Sequence, residues 1–315
     1  MVDNLPMALQ LCPFSPSMEQ ALGQRLAILR WFELEEDEQA EWLRSNAARV
    51  RVVVTGGHIG CPAELMTALP ALQLVAINGV GFDKVDLALA RQRGVRVSTT
   101  PGTLTDDVAD LAVGVIIAQF RRIPAADRHV RDGAWPQGEM PLARKVTGSR
   151  FGILGLGQIG SAIAARLLPF GEVAYSARRD RANGHAFLPD PVDLARWADV
   201  LVVACAATEQ TRGLVDAAVL DALGPRGVLV NVSRGSVVDE AALIVALAAG
   251  TIEGAALDVF ADEPHVPDAL RMAPNTVLTP HVASATAETR QAMADLVMAN
   301  IDAALAGAPL PSAIA

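Results

Sequence analysis

The sequence predicts an α/β protein made of parallel sheets with crossover helices, divided into two domains. Three observations carry that expectation. Short β-branched runs alternate along the chain with amphipathic, alanine-rich stretches of helical length. The strand runs are continuously apolar, as in sheets buried on both faces, where an exposed sheet would alternate apolar and polar residues. A length of 315 residues is enough for two domains of ordinary size.

Taken in order, the candidate strands are RVVVT (51–55), LQLVAI (72–77), VRVST (95–99), FGILG (151–155), VAYSA (173–177), VLVVA (200–204), GVLVNV (227–232), GAALDV (254–259) and TVLT (276–279). A long helix is expected over about 106–122, DDVADLAVGVIIAQFRR. A second covers SATAETRQAMADLVMANIDAALAG, where Ser284 or Thr286 can cap the start and Gly307 ends the helix. Met293, Leu296, Val297 and Ile301 share one face of it. No internal repeat or low-complexity segment interrupts the pattern.

Composition narrows the function classes. A hydrophobic content of 51% with 19% charged residues belongs to a globular chain with a large core. Aromatics are only 4%, so Ala, Val, Leu and Ile must build that core. A net charge of −9 argues against nucleic-acid binding, which needs a basic face to displace counterions. Cys12, Cys61 and Cys205 are far apart, with no CxxC or Cys/His cluster, so no disulfide framework or metal site is expected. Apolar runs fall short of a bilayer span, and Pro6, Pro13 and Pro16 interrupt the N-terminal stretch. The expectation is a cytoplasmic protein with no membrane partner.

GLGQIG, in the middle of the chain, places Gly155, Gly157 and Gly160 in GxGxxG spacing, with Leu156, Gln158 and Ile159 between them. It follows a strand and opens an alanine-rich helix. Gly155 permits the tight turn, Gly157 lets backbone approach a pyrophosphate, and Gly160 allows close helix–strand packing. The helix N-terminus supplies unpaired N–H groups and partial positive charge for phosphates. A dinucleotide site is therefore expected here. Four strands' worth of α/β sequence precede the motif, so one domain forms before the dinucleotide fold begins. The expected architecture is two Rossmann-like or flavodoxin-like domains, with the cofactor domain (101–283) inserted in the chain of the substrate domain (1–100 plus 284–315).

At the tip of the next strand, YSARRD (175–180) lacks the acid that normally accepts the ribose 2′-hydroxyl at about this distance. Ser176 can donate to a phosphate, and Arg178 and Arg179 can make charge-assisted bonds to one. Asp180 lies beyond the strand end, where it turns the loop or pairs with Arg179. The expected cofactor is NADP(H), with NAD(H) as the alternative.

Three later stretches fall just beyond strand ends, where open α/β sheets bind ligands. NVSRGSVVDE supplies Arg234, LDVFADEP supplies Asp258 and Glu263, and LTPHVASAT supplies His281. An arginine, a carboxylate and a histidine together suit hydride transfer to a 2-keto acid. The arginine neutralises a carboxylate and polarises the carbonyl. The histidine exchanges the alcohol proton, and the acid orients it.

These motifs, with INGVGFDKVDL and TTPGTLTDDVAD, resemble the signatures of the D-isomer-specific 2-hydroxyacid dehydrogenases, in order and over nearly the whole chain. Within that family the resemblance is to NADPH-dependent glyoxylate/hydroxypyruvate and hydroxyphenylpyruvate reductases. It implies that Arg234 binds substrate, His281 is the general acid/base and Glu263 its partner. It places the substrate carboxylate at Asn78, Gly79, Val80 and Gly81, on the amides of Val80 and Gly81. It implies that Asp258 faces the nicotinamide carboxamide and that Thr208, Val232, Ser233 and Ser284 lie along the cofactor. It further implies a homodimer whose 123–147 arm carries Trp135 toward a partner's active site. VACAATEQTRGLV departs from the family's usual proline-leucine pair with Cys205, Ala206 and Ala207. Neither the residues nor the resemblance chooses among glyoxylate, hydroxypyruvate, an aromatic pyruvate and a sugar-derived 2-keto acid. A formate- or phosphite-type dehydrogenase and a nucleotide-sensing binding protein are the competing readings. Glu263 beside His281 disfavours the formate type, which carries glutamine there.

Overall fold

The computed structural model describes residues 5–315; the first four residues of the expected substrate domain lie outside it. Two parallel-sheet α/β domains are present. One comprises the chain up to Leu104 together with Ala285–Ala315, and the other is Thr105–Ser284.

The first domain holds five parallel strands, β1 (Met7–Gln10), β2 (Ala27–Arg30), β3 (Val50–Gly56), β4 (Leu74–Asn78) and β5 (Arg96–Ser98), in the order β2-β1-β3-β4-β5. This is the flavodoxin-like order. Helices α1 (Pro16–Gly23), α2 (Glu36–Asn46), α3 (Ala63–Ala68) and α4 (Leu87–Gln92) make the connections. Alternate residues of one strand feed two separate cores. Val53, Val75, Ile77 and Val97 pack on one face, and Val52, Val54, Leu74 and Ala76 on the other. That two-sided burial is why these strands read as continuous apolar runs. The second core is closed by the C-terminal helix α12 (Ala287–Leu305) through Ala294, Val297, Met298 and Ile301. Thr286, not Ser284, caps this helix, accepting from the Thr289 amide, and Gly307 follows its end at φ +68°.

In the second domain, α5 (Thr105–Arg121) and α6 (Ile123–Arg131) lead into seven parallel strands. These are β6 (Ser149–Leu154), β7 (Gly171–Ser176), β8 (Ala186–Phe187), β9 (Val200–Val203), β10 (Val228–Asn231), β11 (Gly254–Leu257) and β12 (Thr276–Leu278). Their order is β12-β11-β10-β9-β6-β7-β8. Six of them follow the dinucleotide-fold order, and β12 extends it. Helices α7 (Gln158–Leu167), α8 (Pro191–Trp197), α9 (Ala217–Leu223), α10 (Glu240–Ala249) and the short α11 (Asp268–Arg271) make the connections. The strand order reverses between β6 and β9, which pair in parallel from Phe151–Val200 to Leu154–Val203. The fingerprint therefore sits at the switch point, where such sheets open a crevice at their carboxyl edge.

Candidate active site and cofactor cradle

The fingerprint's three glycines are constrained for different reasons. Gly155 has φ +96°, and a Cβ there would overlap the backbone of Cys205. A Cβ on Gly160 would overlap the Gly155 carbonyl. Both are demanded by the domain's own packing. A Cβ on Gly157, by contrast, would meet nothing within 4 Å. Gly157 borders open space and forms the N-cap of α7, with no side chain capping the helix amides. Uncapped first-turn N–H groups beside a glycine with room over it fit a bound pyrophosphate. Leu156 is buried, so only its backbone is available to a ligand, whereas Gln158 is exposed.

The structure moves one residue out of the phosphate reading. Ser176 is buried, and its hydroxyl donates to the Pro189 carbonyl at 2.9 Å. Its single proton is used inside the fold, so the Ser176 side chain is not the expected phosphate donor. Arg178 and Arg179 stand exposed just past β7. Asp180 turns the loop. Its Oδ1 accepts from Tyr175 Oη at 2.5 Å and from the Ala182 amide at 2.8 Å. Asp180 forms no ion pair with Arg179 among the described residues.

Beyond β10 the chain makes a braced turn. Asn231 is buried, its Nδ2 donates to the Arg234 carbonyl at 2.9 Å, and its Oδ1 accepts from the Ser233 amide at 3.0 Å. Ser233 Oγ donates to the Cys205 carbonyl, tying this turn to the one beyond β9. Gly235 follows, and a Cβ there would overlap the backbone of Phe260. That close approach joins the arginine's turn to the loop beyond β11, which carries Glu263. Val232 is buried, Thr208 is exposed in a turn closed by Thr211 Oγ1 at 2.8 Å, and Ser284 is half-buried.

Glu263 and His281 meet: His281 Nδ1 lies 2.6 Å from Glu263 Oε2, and Glu263 Oε1 accepts from the Phe260 amide at 3.0 Å. Burial opposes ionisation of Glu263. The bonds from His281 and Phe260, with the charges of His281 and Arg234, outweigh it and hold the carboxyl below its ordinary value. Nδ1 is held by the carboxylate, which assigns proton exchange with a substrate to Nε2. His281 has φ +52°, a left-handed conformation that bulky side chains rarely adopt. Its amide donates to the Asp258 carbonyl at 2.8 Å.

Asp258 has a role that the sequence did not reveal. Its carboxylate is buried and accepts from Thr279 Oγ1 at 2.6 Å, the Val282 amide at 2.9 Å and the Ala283 amide at 2.9 Å. It thus staples the loop that carries His281. No single residue pattern signals this, because the donors lie more than twenty residues downstream.

In the first domain, Asn78, Gly79, Val80 and Gly81 leave the carboxyl end of β4, all partly accessible. The Gly79 carbonyl accepts from the Thr100 amide at 2.8 Å, and Asn78 Oδ1 is buried without a hydrogen-bond partner among the described residues. A Cβ on Gly56, at the end of β3, would lie 2.8 Å from the His58 ring and 3.3 Å from Cys12 Sγ. Cys12 and His58, from the loops after β1 and β3, therefore converge there. Trp135 is 66% exposed in a short helical turn after α6. No helix among the described residues is long and apolar enough to cross a membrane. No cluster of three metal-binding side chains occurs among them either.

Residues 113–283 match the family model described as the D-isomer specific 2-hydroxyacid dehydrogenase NAD binding domain. The chain belongs to the D-isomer-specific 2-hydroxyacid dehydrogenases. As a member of that family it is an oxidoreductase that uses a nicotinamide cofactor. This dehydrogenase is 47% identical over 304 residues to glyoxylate/hydroxypyruvate reductase A of Arabidopsis thaliana, with 96% of each chain covered. It is 46% identical to hydroxyphenylpyruvate reductase of Plectranthus scutellarioides, again with 96% of each chain covered. Among solved structures it is similar to the NADPH-dependent glyoxylate/hydroxypyruvate reductase of Sinorhizobium meliloti in complex with NADP and malonate. That similarity has a TM-score of 0.89 at 40% identity, covering 98% of this chain and 97% of the other.

Proposed function

We propose that this dehydrogenase reduces a 2-keto acid of the glyoxylate/hydroxypyruvate type to the D-2-hydroxyacid, using NADPH. The observation that carries the reading is the 2.6 Å contact between His281 Nδ1 and Glu263, on the loop that meets the Arg234 turn at the Gly235–Phe260 approach. When bound, the nicotinamide cofactor supplies the hydride. His281 gives its Nε2 proton to the carbonyl oxygen, and Glu263 stabilises the imidazolium and fixes its tautomer. Arg234 pairs with the substrate carboxylate and polarises the carbonyl. In the first domain the amides of Val80 and Gly81 are assigned to substrate, the glycines leaving room for it. Asp258, Thr208, Val232, Ser233 and Ser284 border the cofactor in this reading, and the fingerprint amides take its pyrophosphate.

Preference for NADPH over NADH rests on Arg178 and Arg179, exposed at the strand tip where an acid would otherwise receive the ribose 2′-hydroxyl. The S. meliloti relative, described as NADPH-dependent, supports it. An aromatic 2-keto acid is the second reading for the substrate, supported by the hydroxyphenylpyruvate reductase relative. Assembly as a cytoplasmic homodimer belongs to the same proposal. Of the ten exposed large apolar side chains among the described residues, four, Ile123, Val130, Trp135 and Leu142, fall within 123–147, which a partner subunit would cover. Initial rates of NADPH and NADH oxidation over a panel of glyoxylate, hydroxypyruvate, hydroxyphenylpyruvate and 2-ketogluconate test the reading. Equal or better efficiency with NADH refutes the cofactor assignment, and no turnover of any 2-keto acid refutes the reaction.

A further inference from the structure

Tyr175 is the only tyrosine in the chain, and none of the roles above uses it. It is the penultimate residue of β7 and fully buried, its ring 5.3 Å from that of Phe187 on β8. Its hydroxyl reaches forward past the strand end. It donates to Asp180 Oδ1 at 2.5 Å and accepts from the Arg181 amide at 2.7 Å. Asp180 Oδ1 also receives the Ala182 amide at 2.8 Å, and Ala182 turns back at φ +49°. The segment 176–181 is therefore a loop closed twice onto one buried phenol, with Arg178 and Arg179 at its exposed apex.

We propose that Tyr175 and Asp180 form a lock that determines cofactor choice, a proposal that rests on reading Arg178 and Arg179 as the residues facing the 2′-phosphate. The lock does two things. Closing the loop onto a rigid strand limits the conformations of the two arginines, so less freedom is lost when they engage a phosphate. It also draws back Asp180, the only acid of segment 177–184. An unrestrained carboxylate at this tip would repel a 2′-phosphate and accept a 2′-hydroxyl. The hydrogen bond from Tyr175, followed by the backbone amides, keeps Asp180 ionised below its usual range, so the lock holds a charge that would otherwise be mobile. Tyr175 and Asp180 are thus positioning residues that act through the arginines.

The test compares the wild-type enzyme with Tyr175→Phe, Asp180→Ala and Asp180→Asn. It uses KM and kcat with NADPH and with NADH on one keto acid, and calorimetric binding of 2′-AMP against 5′-AMP. Tyr175→Phe keeps the buried ring, and Asp180 is exposed, so at least one variant should fold; thermal melting checks each. In Tyr175→Phe, loss of one charge-assisted hydrogen bond should raise the NADPH KM and weaken 2′-AMP binding roughly tenfold, with kcat little changed and the NADH KM unchanged or lowered. Asp180→Ala, which opens the loop but leaves no carboxylate to free, should lose NADPH affinity without any gain with NADH. Asp180→Asn, which keeps an acceptor for both donors, should retain the NADPH preference. A Tyr175→Phe or Asp180→Ala enzyme whose efficiency falls equally with both cofactors, or not at all, overturns the lock and leaves the cofactor reading intact. A wild-type enzyme that prefers NADH overturns that reading first.

Discussion

Replacing Asp258 with alanine should cost both stability and turnover, for one reason. The buried carboxylate holds three donors, Thr279 Oγ1, Val282 N and Ala283 N, around the residue whose backbone is strained, His281. Losing the acceptor leaves the Ala283 amide buried and unpaired, at about 1–3 kcal/mol, while the partly accessible Val282 amide and Thr279 hydroxyl lose ~0.5–1 kcal/mol each. The expected destabilisation is about 3 kcal/mol. A left-handed histidine stores ~1–3 kcal/mol of strain, so a freed loop relaxes toward an ordinary conformation and carries the imidazole with it. A displacement of about 1 Å in such a group lowers kcat on the order of a hundredfold. Urea unfolding gives the first quantity, and steady-state kinetics with a 2-keto acid and NADPH the second. Asp258→Asn, which keeps one acceptor oxygen, should fall between wild type and alanine in both. If Asp258→Ala kept stability and kcat and raised only the KM for NADPH, Asp258 would be a cofactor contact, as the family likeness implies, and the staple would be wrong.

Three other outcomes follow from the same structure. Gly157→Ala should fold as stably as wild type yet bind NADPH at least about tenfold more weakly, because the new methyl enters ligand space. Gly155→Ala should be destabilised before any ligand is added, since φ +96° and the Cys205 backbone exclude a Cβ; thermal melts with and without NADPH separate the two. Glu263 has a lowered carboxyl pKa, so its contribution to stability is present above the ordinary value of 4.5 and is lost as pH falls below it. Stability measured between pH 6 and about pH 3 should therefore fall less steeply in Glu263→Gln than in wild type. Burial pushes the thiols of Cys12 and Cys205 up to about 11 and that of Cys61 to about 12. None of the three should react quickly with a thiol reagent near neutral pH in the native state, and rapid labelling of a folded sample would contradict this.

The core strands were legible in the sequence because burial on both faces writes itself as unbroken Val, Leu and Ile. Val52–Val54 and Val200–Val203 show it most plainly. Strands β1 and β2 escaped notice. Each has four residues, and β2 is only half-buried at the sheet edge, so its pattern is weak. The two residues of β8 carry no pattern at all. Motif residues such as Gly155, Glu263 and His281 could be named because their spacing is local. Contacts that depend on strands brought together by the sheet could not: Gly235 against Phe260, Ser233 onto Cys205, Asp258 under the His281 loop. Ser176 misled because a serine at a strand tip looks available, while the structure turns it toward Pro189. The Tyr175–Asp180 pair is local, five residues apart, but nothing in the letters says which way a penultimate strand residue faces.

The most direct measurement is the initial rate of hydroxypyruvate-dependent NADPH oxidation by wild type and by His281→Ala. Wild type should show saturable turnover, and removing the proton donor should lower kcat at least about a hundredfold with NADPH binding retained. A His281→Ala enzyme that turns over at close to the wild-type rate would contradict that role.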